Sequence, residues 1–579
     1  MSRSPSGRTR PAALASALLS VLLTGTACST VPTTSSPSAI TQISPRPDTD
    51  VDIDPLSPEA GASPEEIVRG FIDAAASPVR GHPVAAEHLT PSAADAWADD
   101  TTITVIESAY STIATAPGTV TLSATLVGTV DERGIFSVDG GLLTREYTLE
   151  EVEGEWRIAT PPDGLTILQP DFERLYDELA AYFLDPTEER LVPDPRYLIG
   201  GEAQPTALVE RLLDGPAPKL LAGVRNPIAG LELRGAVTVD GTTATVDLTG
   251  VPPDAELPLD QISAQLVYTL RRANVRSVRL LVDGERVPGS PAEQTVDDWA
   301  AYAPDAVPVD SVGHYLDGGV LRKVPDGVPV PGPAGEGRYA LTSAAATAPS
   351  GVDGEQAFVV AVREREGGRD LLAGPYGGAL DQIAQGRSFT EPSVAAVRPE
   401  AWTVRDDDQI VRVPASGDAV EVIASALPGL GPTTALQLSP DGVRAALVIV
   451  VRGSPSLYVG TVVREDDGSV TLRDLREVTP SLTQVVDVAW QDSGHLLVLA
   501  DDASEDQIVP YSVGVDGWGL DPISTAGLPA PPISIAAAPT KAPLVSAGDA
   551  IWQQSAGGTW ETLVRGEPPT PGTRPFYPL

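Results

Sequence analysis

Four histidines, His82, His88, His314 and His495, and one cysteine, Cys28, are the chain's whole stock of imidazole and thiol groups, set against 79 acidic residues. Only His82 and His88 are near neighbours, and their spacing of six is not that of a zinc-binding helix. The histidines therefore read as satisfied or exposed side chains, and no metal ligand set and no cofactor is expected. The sequence has no Gly-rich phosphate loop, GxSxG elbow, SxxK pair or HExxH. No catalytic residue is assigned, and the expectation is a protein that binds other molecules and is not an enzyme. Carboxylates leave one alternative open, because two of them can meet in a cleft at glycosidase separation without leaving a trace in sequence; that alternative is a hydrolase of wall glycan. The acidic runs Asp406, Asp407, Asp408 and Glu465, Asp466, Asp467 are expected on hairpin turns and not in a metal site. Trp299, Trp402, Trp490 and Trp552 either line a sugar groove or pack between repeated sheets, and their spacing favours packing.

Cys28 has a simpler use. Arg3, Arg8 and Arg10 precede an apolar run from Ala12 to Leu23, and Gly25, Thr26 and Ala27 lead to the cysteine. A cationic start, a short apolar run and small residues make an export signal, and a run of about twelve residues is shorter than a spanning helix requires. The segment resembles the lipobox of bacterial lipoproteins, with Gly25 where such boxes favour Leu. The resemblance implies that the Cys28 thiol carries diacylglycerol and becomes the first residue of the mature chain. Acyl chains would then anchor the protein to the membrane's outer face. Plain secretion with cleavage near Ala27 is the other reading. Residues 29 to 62, rich in Ser, Thr, Pro and Asp, read as a solvated tether. Their acidic run Asp48, Asp50, Asp52, Asp54 lacks the central Gly and distal Glu of a calcium loop.

A formal charge of −40 and a pI near 4.3 repel phosphate backbones, so nucleic acid is excluded as a partner. A length of 579 residues implies three to four folded units at roughly 150 residues each, and 54 Gly with 56 Pro favour an extensive all-β portion.

The units can be placed. Ser63, Pro64, Glu65 and Glu66 read as N-cap, first helical position and capping box before Ile67, Val68, Phe71 and Ile72 at helical spacing. Thr119 to Val130 and Thr144 to Ile158 alternate as half-buried strands do, and Phe172 to Leu184, with Leu175, Leu179 and Phe183 at steps of four, reads as a connecting helix. Pro193 and Pro195 mark the next boundary. Hairpins at Asp240-Gly241 and Asp283-Gly284 then frame a helix carrying Leu259, Ile262, Leu266, Val267 and Leu270. The run TVDLTG, LVYTL and VRSVRLLVDGERV between Thr245 and Val287 resembles the GerMN domain, a small α/β module. Beyond about residue 300, apolar strands containing Phe358, Trp402, Ala446, Leu497 and Leu544 recur at spacings of 44, 44, 51 and 47, the period of propeller blades, and a weaker unit near Tyr315 brings the number to about six.

The expected architecture is multidomain: a signal peptide at 1–27, a tether at 28–62, an α+β N-terminal domain at 63–190, a GerMN-like α/β domain at 191–292 and an all-β propeller at 293–579. This order, with the stretch from Val31 to Asp50, is similar to the actinobacterial LpqB lipoprotein family along nearly the whole chain. The resemblance implies a membrane-anchored extracytoplasmic accessory of the sensor histidine kinase MtrB, whose outer domain would be the partner, with effects on cell-wall and division signalling. A cell-wall glycan or solute is the alternative partner.

Overall fold

The computed structural model describes residues 55–579 except 253–255, 288–290, 308–310, 349–356, 416, 466 and 502–506. Cys28 and the run Asp48 to Asp54 lie outside the described residues.

The first module grows from the expected cap. The Ser63 backbone N–H donates to Glu66 Oε2 at 2.8 Å, the Glu66 N–H returns to Ser63 Oγ, and the helix Pro64–Ala75 follows. Its buried face, Ile67, Val68, Phe71 and Ile72, packs on Val120, Leu122, Tyr147 and Ile158 of a six-stranded sheet. The strands are β1 (Thr102–Ala116), β2 (Thr119–Asp131), β3 (Phe136–Val138), β4 (Leu142–Val152), β5 (Glu155–Thr160) and β6 (Leu165–Leu168), in the order β5-β4-β2-β1-β6 with β3 beside β2. The stretch expected as one strand, Thr144 to Ile158, is a hairpin, because Glu153 and Gly154 both turn at positive φ.

A larger correction concerns Phe172 to Leu184, which is not one helix. A short helix, Gln169–Leu175, ends, and β7 (Tyr176–Leu184) pairs residue by residue with β8 (Leu191–Ile199). Steps of four and steps of two coincide at Leu175, Leu179 and Phe183. With a partner strand available, the two-residue period wins, burying Leu179, Ala181 and Phe183 on one face and Tyr182 and Leu184 on the other. Pro193 and Pro195 accordingly lie inside β8. Two residues apart, they place their missing N–H groups on the same edge of a two-stranded ribbon, where no ladder bond is lost.

In the second module, strands Thr243–Thr249 and Ser277–Val282 run parallel and are joined by the helix Leu259–Leu270. Both Asp-Gly hairpins form, and at the second Asp283 and Gly284 have φ of 51° and 82°, the type I′ geometry that suits strand twist. Ile262, Leu266, Leu270, Val246, Leu248 and Leu280 share its core with Leu208 and Leu212 of the helix Gln204–Leu213.

The remainder is a propeller, with six sheets in sequence among the described residues. The first combines His314–Asp317 and Val320–Lys323 with the C-terminal strand Thr573–Phe576, which closes the ring. The next five begin with strands Leu341–Ala346, Ser393–Ala395, Thr433–Leu438, Asp487–Trp490 and Pro532–Ala536. Phe358, Trp402, Ala446, Leu497 and Leu544 all fall on second strands. Each adjacent pair of sheets shares an apolar cluster, from Leu316 with Leu341 and Val359 round to Tyr315 with Leu544 and Ile551. No sheet therefore leaves an apolar face to water.

Candidate functional site

The fourth and fifth propeller sheets hold the other two modules. Trp518, in a hairpin turn of the fifth sheet, inserts its ring among Phe136 of β3, Phe172 and Tyr197 of β8, at centroid separations of 5.1, 4.9 and 5.7 Å. Gly517, at φ 97°, makes this approach possible, since a Cβ there would meet the Val478 carbonyl and the Val138 side chain. Tyr197 Oη donates to Asp516 Oδ2 at 3.1 Å, and burial pushes the Asp516 carboxyl up to about 6. Arg444 Nη2 donates to the Pro193 carbonyl at 2.6 Å and Thr461 Oγ1 to the Lys219 carbonyl at 2.8 Å. Arg476 donates to the Val515 carbonyl, and burial lowers its guanidinium to about 10. These groups surround a cavity of about 280 Å³ in which Asp194, itself paired with buried Arg196 at 2.9 Å, faces Arg444 and Arg476. Charged groups buried at this density require mutual pairing, so the junction is a lock between modules.

The four histidines remain apart. His82 Nδ1 lies 2.7 Å from Asp99 Oδ2, and buried His88 bonds the Val84 carbonyl at 3.0 Å. His314 lies between the Val312 carbonyl and Tyr376 Oη, and burial lowers it to about 4. His495 bridges the modules, with Nδ1 2.9 Å from Asp492 and Nε2 3.3 Å from Glu178 of β7; the two carboxylates raise it to about 10. Among the described residues no group of three or more His, Cys, Asp or Glu side chains is placed to hold a metal ion. Asp406 and Asp407 turn the hairpin between the second and third strands of the third sheet at positive φ, and Glu465 and Asp467 occupy the turn between the third and fourth strands of the fourth sheet. Asp466 lies outside the described residues. Trp402 and Trp490 are buried between sheets, with Nε1 on Glu400 and on the Gln437 carbonyl. Trp299 packs against the second module, and Trp552 packs beside the apolar cluster of the fifth and sixth sheets.

The propeller channel contains a pair of interacting carboxylates. Asp487 is pushed up to about 7, first by burial and then by Glu391, while Arg574 pairs with Glu391. The space there is about 40 Å³, ringed by the first strands and by Phe576, Tyr577 and Leu579. It admits a few waters and no sugar ring. A far larger cleft, about 970 Å³, opens between the first and second modules, lined in part by Arg80, His82, Asp99, Arg133, Tyr176 and Gln204.

Comparison with known proteins accounts for all three modules. Residues 57–173 match the model for the lipoprotein LpqB N-terminal domain, 180–288 a model described as sporulation and spore germination, and 318–578 the lipoprotein LpqB beta-propeller domain. Lipoprotein LpqB of Rhodococcus opacus is 31% identical over 553 residues, covering 90% of each chain. That of Mycobacterium tuberculosis is 32% identical over 543 residues, covering 89% of this chain and 90% of the relative. The chain belongs to the lipoprotein LpqB family.

Among solved structures, a chain of the nidogen/laminin complex aligns at 10% identity and a TM-score of 0.34, over 46% of this chain and 98% of that one, too partial a likeness to carry an argument. The segment that matches the sporulation and spore germination model begins inside β7, upstream of the proline pair from which a boundary was expected. Trp518, Tyr197, Asp516 and Arg444 were missed by sequence reasoning, which had no signal for them: each is a single side chain from a segment remote from its partners.

Proposed function

We propose that the chain is held at the outer face of the cell membrane by acyl chains on Cys28 and acts as an accessory of the sensor histidine kinase MtrB, contacting its outer domain and thereby influencing cell-wall and division signalling. What carries this reading is chain-long membership of the LpqB family in a polypeptide whose only cysteine follows a cationic, apolar and small-residue start. Among the described residues no helix is long and apolar enough to cross a membrane, which is consistent with an anchor made of lipid. The role is read as non-catalytic, in keeping with membership of the LpqB family. The tether confines the modules near the membrane and raises the effective concentration of a weak contact. The contact then acts by binding one signalling state of the kinase better than the other. Because the Trp518 junction fixes the modules, the contacting surface is already formed before the encounter.

Cys28→Ala should move the protein from membrane to culture medium, and its retention in the membrane rejects the anchor. With the full chain and MtrB in one liposome, the kinase autophosphorylation rate should change on addition of the lipoprotein. An unchanged rate, with no crosslink between the two in intact cells, rejects the partner. A second reading, a glycan or solute of the cell wall as ligand, is favoured by the cleft of about 970 Å³, and it is checked by a rise in thermal midpoint with soluble wall fragments.

A further inference from the structure

In a chain with twice as many acidic as basic residues, four arginines gather around one cleft. Arg225 belongs to the second module, Arg398 and Arg412 to the third propeller sheet, and Arg464 to the fourth; with Pro186 and Ser469 they line about 360 Å³. The Arg225 backbone is pinned to Leu184 by two hydrogen bonds of 2.9 and 2.7 Å, so its side chain starts from a fixed point.

The carboxylates nearby are already engaged. Buried Glu400 accepts from Trp402 Nε1 at 2.9 Å, pairs with Arg464 and lies 3.5 Å from Arg412. Burial by itself would raise its carboxyl, but Arg464, Trp402 and Arg412 together hold it below the ordinary range, so it is ionised and its oxygens are occupied. Glu465 at the rim is paired with Arg473 at 2.7 Å. Asp185 and Glu189, on the turn between β7 and β8, add negative field, but the Asp185 oxygens accept from the backbone N–H groups of Thr187, Glu189 and Arg190. Arg412 and Arg464 are thus matched to Glu400, and Arg398 and Arg225 remain. Among the described residues the Arg225 guanidinium donates to the Val224 carbonyl, at 3.4 Å, and Arg398 has no carboxylate within ion-pair distance. Partial burial, with the charge of Arg464 as a second cause, depresses the Arg398 guanidinium below its ordinary value.

We propose that this cleft between the second module and the propeller binds a phosphate-bearing ligand, held by Arg398 and Arg225 with Arg412 and Arg464 behind them. Guanidinium forks match phosphate oxygens in pairs, and a doubly charged monoester matches the two guanidinium charges, of Arg225 and Arg398, that have no carboxylate partner. The same chemistry is offered by a soluble phosphate ester and by a lipid headgroup.

Calorimetric titration of the full chain in non-ionic detergent with inorganic phosphate, glycerol 3-phosphate and dioctanoyl phosphatidic acid tests the site. Saturable binding is expected, weakened about ten-fold or more in Arg225→Gln/Arg398→Gln. Arg565→Gln, which removes an exposed arginine that does not line this cleft, should bind as the parent does. Without ligand, the double variant should keep or exceed the parent's thermal midpoint because repulsion is relieved, and Arg225→Gln alone, at an exposed position, provides the same reading should the double variant fold poorly. Preference for a soluble phosphate or for the lipid assigns the source. No saturable binding of any probe, or equal binding by parent and variants, overturns the proposal.

Discussion

Trp518 shows how one side chain can decide whether this molecule behaves as one body. It sits in a turn, yet it touches rings from the first module, from the short helix before β7 and from β8. Aromatic edge-to-face pairs contribute beyond the area they bury, and truncating a packed Trp costs about 3–5 kcal/mol in a closed core. Trp518 keeps part of its surface open, so Trp518→Ala should cost about 2–3 kcal/mol. The loss should appear as a separation of unfolding transitions in calorimetry, with the N-terminal modules leaving the propeller first, and a single unchanged transition would contradict a locking role. None of this was readable in the sequence. Tyr197 and Asp516 are 319 residues apart, and neither carries a pattern pointing to the other.

At the scale of elements, legibility depended on whether the hydrophobic period was unambiguous. The helix Pro64–Ala75 announced itself by its capping box, and the second strands of the propeller sheets by apolar runs at near-constant spacing. The segment Phe172 to Leu184 did not, because Leu175, Leu179 and Phe183 satisfy both periods and only the presence of β8 chooses between them. The C-terminal strand was also hidden, since a four-residue strand, Thr573–Phe576, has too little pattern to reveal that it pairs with His314–Asp317 at the other end of the ring. Its consequence is large. Ser311 Oγ donates to the Pro578 carbonyl at 2.7 Å, His314 stacks on Phe576, and Tyr577 joins the cluster of Tyr315, Leu544 and Ile551. Ending the chain at Pro571 therefore removes the closing strand and exposes the edge of His314–Asp317. Truncated protein should bind hydrophobic dyes and aggregate at temperatures where the parent is native. A monodisperse truncation product with the parent's thermal midpoint would show that closure contributes nothing.

For the molecule as a whole, the buried titratable groups impose a pH dependence with a definite sign. Asp487 and Asp516, raised to about 7 and about 6, keep protons when folded that the unfolded chain has released, so stability falls as pH rises from about 4 through those values. His495, raised to about 10, contributes stability that is fully present below its unfolded value near 6.5 and is lost as pH climbs towards 10. With 28% of its side chain exposed, that contribution is about 1–2 kcal/mol after screening. His314 acts in the opposite sense: held neutral down to about 4, it costs stability as pH drops below 6.5 and partly offsets the two aspartates. A formal charge of −40 adds self-repulsion that eases as carboxylates are protonated. The thermal midpoint should therefore peak near pH ~5 and decline through pH ~9. In His495→Gln the decline above pH ~8, beyond the titration of Asp487, should flatten while the lower limb is kept, because the bridge to Glu178 and Asp492 titrates there. A midpoint that rises steadily from pH 5 to 9 in the parent would mean that these buried acids and the interdomain imidazole do not govern how the three modules hold together.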